Sequence, residues 1–80
     1  MRARVVVHAS ADHVRERIPV RLTIVEQGAA RCEIVVGSDD PRMLALHLGM
    51  LDAEFDIIDA PALRAALHDL ALRFERAARD

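Results

Sequence analysis

The sequence predicts an α+β domain of the ferredoxin-like kind, a βαββαβ sandwich with an additional C-terminal helix, and three observations predict it. Apolar and polar residues alternate with period two through residues 20–25 and 32–36, which places one face of each segment in a core. Leucines recur at helical spacing through residues 61–78. The order of elements is strand, helix, strand, strand, helix, strand, helix, the split βαβ arrangement with one helix added. Eighty residues form one domain, residues 1–80, since two would each lack a core.

The elements follow in chain order. Val5-Val6-Val7 is a β-branched run, and Ser10 then stands as N-cap of a short helix from Ala11 to about Ile18, ended by Pro19. Val20, Leu22 and Ile24 alternate with Arg21, Thr23 and Val25. After a turn at Gln27-Gly28-Ala29-Ala30, Cys32, Ile34 and Val36 alternate with Arg31, Glu33 and Val35, so the pair reads as a hairpin. Asp40 caps the next helix, Pro41 suits its first position, and the helix runs to about Leu51. Phe55 to Ile58 is a fourth strand, and Asp59 caps a last helix from Pro61 to about Ala78. Its stripe is Leu63, Leu67, Leu70, Phe74 and Ala78. The first and third strands carry the most continuous apolar runs, as the two central strands of this topology require.

Composition narrows the function. The net charge is −2 and all 11 basic side chains are arginine, a balance that argues against a dedicated double-helix binder, which carries a basic stripe. The single cysteine, Cys32, excludes an intramolecular disulfide and a thiolate cluster and fits a reducing cytoplasm. Five apolar or small residues after Met1-Arg2-Ala3-Arg4 are too few for a signal core or a membrane span.

The alternation also predicts two sheet faces. With Val5, Val7, Leu22, Ile24, Ile34, Val36, Phe55 and Ile57 toward the helices, the outward face carries Val6, Val25, Val35 and Ile58 as an apolar centre, rimmed by Arg4, Arg21 and Arg31. An apolar patch with a charged rim marks a contact surface. The competing account is that strands simply favour β-branched residues, or that the last helix folds over this face.

Chemistry at single sites is thinly represented. His8, His13, His47 and His68 are scattered without metal-ligand spacing, and the acidic group Asp52, Glu54, Asp56 and Asp59 lacks the glycine and terminal glutamate of a calcium loop, so no metal and no cofactor is expected. Cys32 points into the core, Ser10 and Ser38 serve as cap and turn, and no acid and base pair stands at catalytic spacing; the chain reads as a non-enzyme. Base stacking on the sheet lacks aromatics, with Phe55 in the core and Phe74 on the last helix.

The segment Leu51-Asp52-Ala53-Glu54-Phe55-Asp56-Ile57-Ile58-Asp59-Ala60-Pro61-Ala62-Leu63-Arg64 resembles the C-terminal extension, or WCX domain, of WYL-domain transcriptional regulators. That pattern is a Leu-Gly turn, a short strand with acidic positions, and Pro-x-Leu-Arg opening the last helix, here Pro61, Leu63 and Arg64. Gly37-Ser38-Asp39-Asp40-Pro41 and the leucine-rich helix after it resemble the stretch before the turn. Asp52 stands where the family's turn has glycine, and Ala60 where a proline is common. The resemblance covers the whole chain and is sharpest over its last third.

The resemblance implies a bacterial, cytoplasmic regulatory module, one part of a longer chain with a helix-turn-helix and a WYL domain. The signature triplet itself is absent, because the chain has no Trp and no Tyr. In such regulators the WYL part senses an effector, in some cases single-stranded nucleic acid, and the extension helps build the dimer and the sensing surface. The expected partners are a second copy, the parent's WYL domain, or both, with a nucleic-acid effector reached through the parent protein, no direct duplex DNA binding by this module and no membrane. The alternative is a stand-alone small-molecule-binding module resembling amino-acid sensors, with its ligand at a dimer seam near Gly37 to Pro41.

Overall fold

The computed structural model describes residues 1–18 and 21–79, so the helix stop expected at Pro19 and the strand start at Val20 lie outside the described residues. The elements are β1 (Arg2–Val7), α1 (Ala11–Arg17), β2 (Leu22–Gly28), β3 (Arg31–Gly37), α2 (Pro41–Gly49), β4 (Phe55–Asp59) and α3 (Pro61–Ala77). The strands form one antiparallel sheet in the order β2-β3-β1-β4. β3 lies between β1 and β2, and β1 lies between β3 and β4. The described residues therefore form an α+β domain of four strands and three helices, compatible with a ferredoxin-like arrangement. The central strands are β1 and β3, the two apolar runs.

Local chemistry sets the element ends. The Ser10 hydroxyl accepts from the His13 amide, and Asp40 accepts from the amides of Arg42 and Met43 with Pro41 in the first turn. Ala29-Ala30 connects β2 to β3, and Gly28 takes φ +146 beside the irregularity between Glu26 and Gly28. α2 ends in a tight turn, with the Met50 amide donating to His47 and the Leu51 amide to Leu48.

One core lies on one face of the sheet. Val5, Val7, Ile34 and Val36 meet Val14 and Ile18 of the α1 region, Leu44 and Leu48 of α2, and Leu63, Ala66 and Leu70 of α3. Full burial of such a side chain stabilises by about 1.5–3 kcal/mol. The His13 ring ties α1 to this layer: its Nε2–H donates to the Leu51 carbonyl at 2.6 Å, which fixes the tautomer because a carbonyl only accepts. α3 packs along α2 and joins the same core, so it does not fold over the outer face of the sheet.

The structure corrects two sequence expectations. Asp59 is not the cap of α3: it remains in the sheet opposite Arg4, the N-cap position passes to Ala60, and no side chain bonds the free amides there. The stripe of α3 is buried only as far as Leu70. Seventeen residues of α3 span about 25 Å while nine of α2 span about 14 Å, so α2 runs out before Phe74, which is 56% exposed.

Asp52 has φ +54, in the left-handed region where glycine is unstrained. Replacing it with glycine is expected to raise stability by about 0.5–1 kcal/mol, and with valine to lower it by about 1–2 kcal/mol. Urea unfolding of both variants checks the pair; equal midpoints would show that the turn relaxes.

Candidate interaction surfaces

Register determines what the helix-free face of the sheet presents. Val6 stands opposite Glu33 on one side and Asp56 on the other, with Arg4 two residues before it on β1 and His8 two residues after it, just past the strand end, their side chains reaching Glu33 and Asp56. Arg4 Nη2 reaches Glu33 Oε1 at 2.7 Å, and His8 Nε2 lies 2.8 Å from Asp56 Oδ2. A second chain of bonds extends to the hairpin: Gln27 Nε2 donates to Glu33 Oε2 at 3.4 Å, and Arg31 Nε donates to Gln27 Oε1 at 3.0 Å. Both carboxylate oxygens of Glu33 are engaged, in a lattice spanning β2, β3 and β1.

The seven expected contact residues consequently separate. Val6 is only 6% exposed on a face that no helix covers among the described residues, flanked by the Arg4–Glu33 salt bridge and the His8–Asp56 hydrogen bond. Val25 is open at 54%, and Val35 is half-buried between Thr23 and Arg4. Ile58 leaves the row: the register shifts between Arg4 and Val5, so Asp59 faces Arg4 in the ladder. Ile58 borders a hollow with Pro61, Arg64, Ala65 and His68 at the start of α3. Of the arginines, Arg4 is held by Glu33 and Arg31 by Gln27, while Arg21 borders a separate hollow with Arg15, Ile18, Leu22 and Ile24 at the β2 edge. Arg4 and Val35 are neighbours in the ladder and line one hollow with Arg2 and Asp59, apart from the hollows that Ile58 and Arg21 border.

The motif residues form one mechanical unit. Pro61 begins α3, Leu63 is fully buried, and Arg64 Nη2 turns back to donate to the Ile57 carbonyl of β4 at 2.8 Å.

The larger open apolar surface is one that periodicity alone passed over. Leu46, Met50 and Phe74 stay exposed around a groove between α2 and α3, of about 370 Å³, whose floor includes Ala45, Leu67 and Leu70. The sequence carries a signal for it: Met43, Leu46 and the C-cap residue Met50 form a second stripe along α2, beside the buried Leu44 and Leu48, and a helix with two apolar stripes has two contacts to make.

Polar chemistry is sparse by comparison. The Gly37–Pro41 segment bonds to itself and to Met1: the Ser38 amide donates to the Met1 carbonyl at 2.9 Å and the Asp40 amide donates to Ser38 Oγ. His47 is half-buried and His68 exposed. Among the described residues no three His, Cys, Asp or Glu side chains converge as a metal group. Among the same residues no helix is long and apolar enough to cross a membrane.

Cys32 is fully buried, and burial pushes its thiol up, opposed by the Arg15 charge and reinforced by Glu26. A raised folded-state pKa keeps the thiol neutral in the native protein, so its contribution to stability is complete below the unfolded thiol's pKa of about 8.5 and is lost as pH rises past it. A thiol reagent at pH 8 is expected to label Cys32 at least about 100-fold more slowly in the folded than in the urea-unfolded chain. Equal rates would contradict the burial.

No protein-family model matches the chain, and no curated protein and no solved structure matches it.

Proposed function

We propose that this chain is the dimerisation and effector-response module of a bacterial WYL-type transcriptional regulator, a WCX-like domain folded as a ferredoxin-like sandwich with an added C-terminal helix. The observation that carries the reading is the segment Leu51–Arg64, in which each residue of the WCX-like pattern has a mechanical task. Leu51 is buried, Asp52 adopts the left-handed turn at the pattern's glycine position, and Pro61 begins the helix. Leu63 anchors it, and Arg64 ties it back to β4.

The open apolar side chains Val25, Leu46, Met50 and Phe74 support assembly as the task, because a domain this small gains much from a partner that covers them. The partners proposed are a second copy and a WYL domain. In this reading effector binding shifts which packing is favoured, in the cytoplasm and without catalysis by this module. The competing small-molecule reading places a ligand near Gly37–Pro41, where the polar groups already bond one another.

Thermal unfolding separates the two readings. Self-association makes the Tm climb with protein concentration, whereas a ligand-sensing module responds to a metabolite. The expected result is a Tm that rises by several degrees over a hundredfold range of concentration and moves by less than about 1 °C with any amino acid at millimolar level. A Tm flat in concentration and raised by one amino acid would establish the sensor reading instead.

A further inference from the structure

The two edges of the sheet are treated differently. On β4 the edge is short and bulged, Asp56 and Asp59 are exposed along it, and the Arg64 guanidinium occupies the Ile57 carbonyl. These are devices by which native sheets block edge pairing. On β2 the edge runs seven residues, Leu22–Gly28, with no proline and with its one irregularity at the hairpin end, between Glu26 and Gly28, and among the described residues its only backbone ladder is to β3. Its core-side residues Leu22 and Ile24 are only half-buried, though they pack on the fully buried interior. They border a hollow with Ile18, Arg15 and Arg21. Glu26 follows on the same side of the sheet, opposite the buried Cys32, is exposed, and makes no ion pair among the described residues; neither does Arg21.

We infer that β2 pairs antiparallel with β2 of a second copy about a twofold axis at Ile24, joining the two sheets into one of eight strands. The twofold requires that opposed residues share a face, so the sum of their numbers is even. Centred on Ile24, the register sets Ile24 against Ile24, Thr23 against Val25 and Leu22 against Glu26, with Arg21 just before the strand. Two consequences select it. Leu22 and Ile24 of both copies become one continuous apolar row closing the hollow. Each Glu26 comes to the hollow of the other copy, next to Arg21 and beside Arg15, whose exposed pair with Asp12 spans 3.2 Å, so the acidic end of one strand meets the basic rim of the other, twice. That charge complementarity favours a second copy of this chain over an unrelated extended peptide.

The inference rests on the dimer reading above, and charge reversal at exposed positions tests it separately from that reading. Sedimentation equilibrium is measured on the wild type, on Glu26→Arg, on the pair Arg15→Glu and Arg21→Glu, and on all three changes together, with circular dichroism confirming that each variant folds. Glu26→Arg and the arginine pair are each expected to raise the dimer dissociation constant about 30-fold, and the triple variant to return within about threefold of wild type. A wild-type dimer indifferent to Glu26→Arg, or a triple variant that does not recover, overturns the β2 seam and leaves the dimer reading standing. A wild type that never dimerises overturns both.

Discussion

Leu63→Ala is expected to destabilise the domain by about 3–4 kcal/mol, lowering the Tm by roughly 15–25 °C. Leu63 has no exposed surface and sits on the first turn of α3, whose N-cap residue, Ala60, offers no side-chain hydrogen bond. The helix is therefore held at this end by packing, and by the single Arg64 bond to β4. Truncation removes three carbons from a filled core and leaves a cavity between α3 and the sheet. Marginal stability is the rule for a domain this size, so much of the total is at stake. Chemical denaturation measures it. A loss below about 1 kcal/mol would mean that the core collapses around the site and that α3 is anchored elsewhere.

Val6→Asp is expected to cost about 2–4 kcal/mol, while Val25→Asp on the same face costs about 1 kcal/mol or less. The difference comes from the side-chain pairs flanking Val6 and not from any helix. At Val6 a new carboxylate would stand between Glu33 and Asp56, beside the Arg4 and His8 pairs that flank the position. At Val25 the side chain faces water, with Glu33 as its one close acidic neighbour in the ladder. Comparable costs at the two positions would show that the pairs beside Val6 open readily and that this face is an apolar patch after all.

Much of the fold is legible in the sequence, because period-two alternation at Leu22–Val25 and Cys32–Val36, the caps at Ser10 and Asp40, and the apolar runs of β1 and β3 each state a local physical preference. The candidate surface is legible only in part. Alternation assigns Val6 to the outer face but says nothing of Arg4 meeting Glu33 or His8 meeting Asp56, since those contacts depend on a register linking residues 29 and 48 positions apart. A one-residue shift in pairing between Arg4 and Val5 is likewise invisible in composition, yet it removes Ile58 from the row and keeps Asp59 from capping α3. The exposure of Phe74 follows from the difference in length between α2 and α3, a relation between elements that helical periodicity within α3 does not contain.

The solution mass of the wild-type chain across a concentration series, by sedimentation or light scattering, tests the central claim most directly. The account predicts a reversible rise from the mass of one 8.9 kDa chain toward that of two. A strict monomer at every concentration would contradict it.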